Sequence, residues 1–459
     1  MHLFRTLLLV TPIAALALSQ VRDADACGGC LILQNERTQV NGHQMVLSIS
    51  KTQTTLWDQI TYSGNPSEFA WVLPIKGKVD FGLSSDALFG ALEVATNVNV
   101  FAPQLNCPSP PYCGGSYADD SIGGAVGTSA GAGGGSPVSV LVHDVVGPYE
   151  MVQLKSSDPT ALQSWLTSHN YVVPTDIQPV ISAYVTEGFD FLALKLVPGQ
   201  DVSKMRPVRV TTQGASPVLP LRMVAAGTGA VTPITLWVLG EGRYATANLP
   251  TFTVDPAQVV WDWDTDSSNY AVVKKAAFDK SKGTAWLVED AEPLNQSTIR
   301  DPISFVVNNG SSGFPSGGST NPTSSGYGEP MGPTAQEEFD EDMGALFGGI
   351  SETSLWVTRL HGELSRPALA ADLELGASTD QSKVSRFIQV TKTSGTTPPC
   401  PTYQPCGASN GAWDQWGNPQ GGTNATSCAM TESGSSPMSV FALLGAAGVV
   451  VSVARRKRR

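Results

Sequence analysis

Cysteine is the residue type whose spacing in this sequence most directly suggests chemistry. Cys27 and Cys30, two of seven cysteines, form a Cys-x-x-Cys motif. That spacing suits a structural disulfide, a redox pair at a helix N-terminus, or half of a zinc site. The motif stands before the apolar residues 31–33 rather than in a strand–helix unit, and no histidine lies nearby at ligand spacing. We therefore predict a structural disulfide and keep thiol-redox or metal chemistry as alternatives.

Two further cysteine pairs enclose five residues each. Cys107 and Cys113 flank a proline-containing segment, and so do Cys400 and Cys406. Proline excludes a helix between the members of a pair, and an oxidising compartment makes a disulfide the default for closely spaced cysteines. The spacing favours two small local disulfide loops, with pairing between the two segments as the open alternative.

Alternating aspartates place three carboxylates on one face of a predicted extended segment. Asp262, Asp264 and Asp266 resemble the start of a calcium-binding loop, but serine replaces the glycine at its sixth position and valine the glutamate at its twelfth. The pattern favours a polar sheet face backed by Trp261 and Trp263, with calcium binding as the alternative. No other cofactor is predicted.

The Gly-x-Ser-x-Gly pattern at 127–131 does not indicate a serine hydrolase. A nucleophile elbow needs a strand before the serine and a helix after it, whereas this pattern lies inside a glycine-rich stretch. The histidines between residues 27 and 454 also lack the pairwise spacing of a zinc-hydrolase helix. No catalytic residue is therefore predicted.

Both ends of the chain carry export or membrane signals. Residues 1–26 combine a basic start, an apolar stretch and the Ala-Asp-Ala pattern of a cleavage site, so Cys27 is predicted to begin the mature chain. Lipidation of Cys27 is an alternative, although charged residues stand where a lipobox needs apolar ones. The uncharged apolar segment 438–454, followed by the basic residues 455–459, predicts a transmembrane segment with a cytoplasmic tail.

The C-terminal order of Cys428, apolar segment and arginine-rich end resembles the tripartite MYXO-CTERM sorting tail of bacterial surface proteins. The resemblance covers about the last 32 residues. It implies processing at Cys428, transfer to the cell surface, and export and sorting machinery as partners. We therefore expect an exported protein of the cell envelope or cell surface, anchored in the membrane before processing.

The exported part is acidic. The whole chain has a formal net charge of −12, and residues 27–454 hold 21 basic and 38 acidic residues, a balance of −17. Such a field repels nucleic acid, and no basic stripe with interleaved aromatic residues occurs, so nucleic acid is disfavoured as a partner.

Low-complexity stretches divide the exported part. Glycine-rich segments at 114–137 and 308–333 are predicted surface loops of a globular region that spans 27–392. The segment 393–437, rich in Pro, Gly, Ser and Thr, is a predicted stalk.

The globular region is predicted to be a β-rich α+β fold with antiparallel or mixed sheets and a few interspersed helices. β-branched or aromatic runs predict strands at 44–50, 68–75, 138–146, 189–197, 207–212, 218–225 and 234–239. Capping signals predict helices after Asp158 and after Thr334, and one over 177–187 that ends at Gly188. The acidic run 337–342 is predicted to be a solvated helix face rather than a cation site.

Short aromatic and proline-containing segments follow one another along residues 27–420. They are Leu56–Ile60, Tyr62–Gly64, Phe69–Pro74, Gly147–Glu150, Trp165 with Tyr171–Pro174, Phe191–Leu196, Pro220–Arg222, Asn269–Tyr270, and Thr358–Leu360 with Glu363. With the preceding Cys-Gly-Gly-Cys motif they resemble a bacterial family known as domain of unknown function 2330. The resemblance fits the exported, cysteine-led interpretation and carries over no activity and no site residue.

Aromatic and acidic residues gather in one predicted hairpin-like region. Trp57, Asp58, Glu68 and Trp71 are predicted either to pack as core with the acids capping turns, or to bind an extended ligand. The function favoured overall is an exported, envelope-anchored or surface-displayed module that binds a ligand or serves a structural role without catalysis. Thiol-redox or metal binding through Cys27 and Cys30, and calcium-dependent binding, are the alternatives.

Overall fold

The computed structural model describes residues 30–31, 39–63, 70–108, 142–155, 158–168, 175, 177–197, 205–225, 230–309 and 334–402. The chain divides into two compact units, one of Met1–Pro103 and Gly133–Gly395 and the other of Gln104–Ala132 and Thr396–Arg459. The strands and helices named below all belong to the first unit.

Several predicted features fall outside the described residues. They include the signal peptide, the glycine-rich loop 114–137, nearly all of the loop 308–333, the stalk beyond residue 402, the apolar segment 438–454 and the basic tail. Within the described ranges, no helix is long and apolar enough to cross a membrane.

The strands follow one another along the chain in this order: β1 (Cys30–Leu31), β2 (Gln39–Ile49), β3 (Gln53–Ser63), β4 (Ala70–Ile75), β5 (Val79–Leu83), β6 (Asn99–Phe101), β7 (Val142–Val146), β8 (Tyr149–Leu154), β9 (Asp190–Leu196), β10 (Val208–Gln213), β11 (Val218–Leu219), β12 (Val231–Glu241), β13 (Tyr244–Thr246), β14 (Thr251–Phe252), β15 (Val260–Asp262), β16 (Ser267–Ser268), β17 (Trp286–Pro293), β18 (Leu355–Ser365), β19 (Leu373–Ala377), β20 (Phe387–Gln389) and β21 (Lys392–Ser394). The α-helices are α1 (Asp86–Thr96), α2 (Pro159–Ser168), α3 (Gln178–Thr186), α4 (Leu221–Ala225), α5 (Tyr270–Ser281), α6 (Ser297–Asn309) and α7 (Ala335–Phe347).

The larger sheet joins eight of the described strands in the order β14–β17–β18–β12–β2–β3–β10–β5. β12 pairs with β2 and β14 pairs with β17 in parallel, and the other neighbours are antiparallel. One face of this sheet is covered by α1, α6 and α7, where Trp57 and Trp237 are completely buried. The opposite face is shared between the smaller sheets and α4.

The second sheet joins five described strands, all antiparallel, in the order β1–β4–β9–β8–β7. β9 is nearly apolar along its length because both of its faces are covered. Phe191 packs against α2 and α3, while Leu192 and Leu194 pack against the larger sheet. The first unit is therefore layered as helices, five-stranded sheet, eight-stranded sheet and helices, which confirms the β-rich α+β prediction.

Most of the strands and helices that the sequence predicts are formed, although strands such as β3, β17 and β18 and helices such as α1 and α6 are not among them. Asp158 caps α2 by accepting from the Thr160 N–H at 2.8 Å. Helix α3 ends at Thr186, and the nearby Gly188 has a φ of 77° in the left-handed region that commonly follows a helix. The strand prediction at 218–225 is wrong, because β11 stops at Leu219 and α4 follows. Pro220 explains the change, since it donates no N–H to a strand ladder and its fixed φ suits the start of a helix.

Helix α7 corrects the prediction for the acidic run. The capping box of Thr334 is formed, but Glu338 and Asp342 are only 1% and 0% exposed. Glu338 accepts from Arg206 Nη1 and Nη2 at 3.0 and 2.7 Å, and Asp342 accepts from Arg209 Nη1 at 2.7 Å. The two acids stand four residues apart on the helix and so share the face that meets these arginines. Part of the run is therefore a buried ion-pair face rather than a solvated one.

Candidate functional site

A cleft of about 670 Å³ lies over the face of the eight-stranded sheet that also contacts the smaller sheets and α4. Its floor contains a row of direct cross-strand neighbours, Leu47, Leu56 and Val210, on β2, β3 and β10. A second row, Thr54 and Thr212, stands two residues along β3 and β10. Because alternate residues of a strand point to one side, both rows share a face. The floor therefore combines an apolar row with a row of hydroxyl groups.

The walls of the cleft come from elements that are far apart in the sequence. One wall holds Ile75 and Lys76 at the end of β4, together with Phe189 between α3 and β9. The other wall holds the segment 216–222, which runs through β11 into α4, and the segment 370–374 at the start of β19. The cleft is thus a product of the tertiary fold rather than of one local motif.

Arg222 on α4 connects the two walls. Its Nη1 and Nη2 donate to the Glu187 carboxylate at 2.7 and 2.6 Å, and its Nε and Nη2 donate to Asp372 at 3.1 and 2.8 Å. The guanidinium carbon lies 4.0 Å from the ring centroid of Tyr184, and the Tyr184 hydroxyl donates to Asp372. One side chain therefore ties together α3, α4 and the segment before β19. We call Arg222, Glu187, Asp372 and Tyr184 the arginine clamp.

The pKa values of Glu187, Arg222 and Tyr184 keep these three groups in their usual ionisation states at neutral pH. Hydrogen bonds from Arg222 lower the pKa of Glu187, and hydrogen bonds to Glu187 raise the pKa of Arg222. Burial, reinforced by the hydrogen bond to Asp372, raises the pKa of Tyr184. A fixed charge pattern therefore lines this part of the cleft.

The remaining charges of the lining are placed toward solvent. Lys76 is exposed, and its Nζ lies 4.3 Å from the centroid of the Phe189 ring. Glu374 is an exposed residue of β19. In total the lining carries three carboxylates against two cations, namely Glu187, Asp372 and Glu374 against Lys76 and Arg222.

The sequence profile of a family described as an uncharacterized protein conserved in bacteria (DUF2330) matches residues 21–305. The chain belongs to this family. No curated protein and no solved structure matches it. The matched part of this DUF2330 chain contains Tyr184, Glu187 and Arg222, whereas Asp372 lies beyond it. β18 also lies beyond the match although it is paired on both sides in the larger sheet, so the fold extends past the matched residues.

The predicted aromatic and acidic cluster is divided between the two sheets of this DUF2330 protein. Trp57 and Asp58 lie on β3 and Trp71 on β4, and these strands do not form the predicted hairpin. Trp57 is completely buried, and the Asp58 carboxylate lies 3.2 Å from Nδ1 of buried His43. Glu68 lies outside the described residues. The three described side chains pack in the interior, and the cleft is lined by other residues.

The three aspartates of the calcium hypothesis lie around a turn rather than along an extended segment. β15 ends at Asp262 and β16 begins at Ser267. Asp262 Oδ1 accepts from the Asp264 N–H at 3.0 Å, and Asp266 has a left-handed φ of 48°. Aspartate favours such turns because its short carboxylate can accept nearby backbone N–H groups. In the part of the chain that the structure describes, no group of three or more His, Cys, Asp or Glu side chains could hold a metal ion. Calcium binding stays a prediction.

Cys107 forms a disulfide with Cys400, from which it is separated by 293 residues. Their Cα atoms lie 5.3 Å apart. Local disulfide loops are therefore wrong for these two cysteines, and the alternative of cross-pairing is confirmed. Closeness along the sequence does not decide a pairing, because the fold sets which Cα atoms come within bridging distance. Cys113 and Cys406 lie outside the described residues.

Cys30 begins β1, where its backbone pairs with that of Trp71 on β4. A redox cysteine with a lowered pKa usually lies at a helix N-terminus instead. Cys27 and Cys428 lie outside the described residues. The structural disulfide, the redox or metal alternative and the processing at Cys428 all stay predictions.

No pattern in the sequence predicts the arginine clamp as a site. Its one signal was Pro220–Arg222, a segment that carries the family resemblance. Glu187 and Asp372 stand 185 residues apart in the sequence, so no spacing pattern could join them. Only the packing of α3, α4 and β19 brings their carboxylates to one guanidinium.

Proposed function

We propose that this protein is an exported, envelope-anchored module that binds a small organic molecule in the cleft without transforming it. The cleft is the observation that carries the proposal. Its volume of about 670 Å³ falls within the range of small-molecule sites, and an apolar floor beside a few placed polar groups is their usual lining.

The protonation states around the cleft support binding rather than acid–base catalysis. A general acid or base works best when its pKa lies near the operating pH. Tyr184 and Glu187 are shifted away from neutrality, in opposite directions. Burial raises the pKa values of Asp86 and Asp290 to about 6 and about 7, but neither residue lines the cleft.

The chain ends and the disulfide support an extracytoplasmic location. A cleavable signal at 1–26 and the apolar segment 438–454 with its basic end are the expected marks of an exported, anchored protein. The Cys107–Cys400 disulfide suits an oxidising compartment. Protein isolated from the membrane fraction should begin at Cys27, and deletion of residues 438–459 should release it from that fraction. An uncleaved N-terminus, or no change in fractionation, would contradict this part of the proposal.

Binding in the cleft can be tested with an uncharged aromatic probe, phenylbutanol, by isothermal titration calorimetry on the full chain. Val218 lines the cleft and is 40% exposed, so Val218→Trp should place a bulky indole ring in the cleft without disturbing the core. We expect this variant to bind phenylbutanol at least about tenfold more weakly than the parent.

Val231→Trp is the matched control. Val231 is an equally small strand residue, 51% exposed, and does not line the cleft. It should bind the probe as the parent does. If the parent does not bind phenylbutanol, or if both tryptophan variants bind it as the parent does, the cleft is not a binding site.

A further inference from the structure

We propose that the ligand of the cleft is an amphipathic cation, an apolar chain or ring that carries a protonated or quaternary amine. This inference rests on the proposed binding function and names the class of ligand. It follows from the apolar floor and from the charges of the walls.

The floor selects the apolar part of such a ligand. Leu47, Leu56 and Val210 form one continuous row across three strands, and Leu73 and Ile75 of β4 join the lining. Leu47 and Val210 are only 2% and 3% exposed and Leu56 is half-buried, so an apolar group that lies along this row buries chiefly its own surface. Each methylene that it buries strengthens binding, because apolar surface is removed from water.

The hydroxyl groups of the threonine row already donate their protons within the protein and are poor donors to a bound anion. Thr54 Oγ1 donates to the Gly214 carbonyl at 2.9 Å and accepts from the Ser216 N–H at 2.8 Å. Thr212 Oγ1 donates to the Thr54 carbonyl at 3.2 Å. Both hydroxyl protons are thus directed to protein carbonyl groups, so a carboxylate placed over this row would have to displace one of those bonds.

The walls select the charge of the polar end. Arg222 directs its guanidinium at Glu187 and Asp372, so an anionic ligand would have to compete with two carboxylates already in place. The Glu187 carboxylate is 44% exposed, and each of its oxygens accepts one bond from Arg222, so it can accept a further bond from an ammonium group, as can the exposed Glu374. Lys76 offers the one cation of the described lining that lies outside the clamp, and it stands over the Phe189 ring.

The field of the whole chain acts in the same direction. With a net charge of −12, and −17 over residues 27–454, the protein attracts cations and repels anions at long range. Salt screens this contribution, because the Debye length falls to about 8 Å at physiological ionic strength. Preference for a cation should therefore be greatest at low salt and should persist in part at high salt, because charges in direct contact are screened less than distant ones.

The test compares three probes that share one apolar part and differ in charge: phenylbutylamine, phenylbutanol and phenylbutanoate. Titration calorimetry on the full chain at low salt should give the tightest binding for the amine and the weakest for the carboxylate, with about tenfold between them. Glu374→Gln should reduce the advantage of the amine over the alcohol. Glu352→Gln makes the same charge change at an exposed residue that does not line the cleft, and it should leave that advantage intact.

The outcomes separate this inference from the proposed function. Binding of the carboxylate as tightly as the amine, or an equal effect of both glutamine variants, would overturn the cation preference while leaving the cleft as a binding site. Failure of all three probes to bind, or binding that Val218→Trp does not weaken, would overturn the proposed function itself.

Discussion

Arg222 shows how much the cleft depends on the shape of one side chain. A guanidinium presents several N–H donors in one plane and can also stack on an aromatic ring, so it can serve two carboxylates and Tyr184 at once. An ammonium group is a compact charge on a flexible stem and cannot reproduce this geometry. The clamp is therefore specific for arginine rather than for positive charge.

Arg222→Lys should lower the free energy of unfolding by about 1–2 kcal/mol, because hydrogen bonds to charged groups are lost but the site is partly open to solvent. Urea unfolding measured by circular dichroism would show it. Arg243→Lys is a suitable comparison, since the partner Asp380 is 66% exposed and its ion pair should contribute little. Equal stability of Arg222→Lys and the parent would show that the clamp contributes only charge.

Asp290 is a buried carboxyl whose ionisation opposes folding. It is 2% exposed on β17, and its Oδ1 has no hydrogen-bond partner among the described residues. Burial, and then the nearby Glu292, raises its pKa from the ordinary value of 3.8 to about 7. The folded state therefore holds this proton more tightly than the unfolded state between about pH 4 and pH 7.

Asp290→Asn should therefore stabilise the protein at high pH. Below about pH 4 Asp290 is neutral and does not oppose folding, and this stability is lost as the pH rises through its folded pKa. The free energy of unfolding of Asp290→Asn should therefore exceed that of the parent by about 2–4 kcal/mol at pH 8 and by nothing at pH 4. Thermal melts across this range would measure the difference. Asp80→Asn, at an exposed position on β5, removes the same charge and should show no comparable gain. A gain for Asp290→Asn that does not change with pH would contradict the assignment.

At the scale of elements, helix α7 separates what local sequence signals can predict from what they cannot. Its capping box is a local pattern and was predicted. The burial of Glu338 and Asp342 was not, because the same carboxylates suit solvent or a buried arginine. Arg206 and Arg209, which decide between the two, stand more than a hundred residues earlier. Local signals also fail to predict the parallel pairing of β12 with β2, which joins segments almost two hundred residues apart. They fail for both walls of the cleft for the same reason, because each wall combines distant segments.

Asp342→Ala should destabilise the protein by about 3–5 kcal/mol, because it removes the buried carboxylate partner of Arg209 and leaves only the half-exposed Glu341. It also removes the acceptor of the Trp57 N–H at 3.0 Å and of the Ser84 hydroxyl at 2.6 Å. Urea unfolding followed by tryptophan fluorescence would measure the loss. Glu341→Ala, at the 53% exposed neighbour that also pairs with Arg209, should cost less than about 1 kcal/mol.

A double substitution separates the cost of an orphaned charge from the contribution of the ion pair. Asp342→Leu with Arg209→Met replaces both partners by apolar groups of similar length. We expect this pair to recover much of the stability that Asp342→Ala loses, since buried ion pairs often contribute little more than a well-packed apolar pair. A double variant as unstable as Asp342→Ala would show that the ion pair itself stabilises α7 on the sheet.

At the scale of the whole molecule, the Cys107–Cys400 disulfide closes a loop that takes in most of the described chain. Both cysteines belong to the second unit, while the residues between them include most of the first. A bridge across 293 residues greatly restricts the unfolded chain, which is the usual account of how a disulfide stabilises a fold. The local disulfide loops that the sequence favours would restrict it far less.

Cys107→Ser, Cys400→Ser and the double variant should each lower the free energy of unfolding by about 2–5 kcal/mol, and by the same amount, because all three remove a single bond. Reduction of the parent should match them if no second disulfide contributes, and urea unfolding would give all four values. Peptide mapping under non-reducing conditions should show the fragments of Cys107 and Cys400 joined. Losses that add in the double variant, or a fragment that joins Cys107 to Cys113, would instead support separate local loops, and the long-range restriction of the unfolded chain would then be absent.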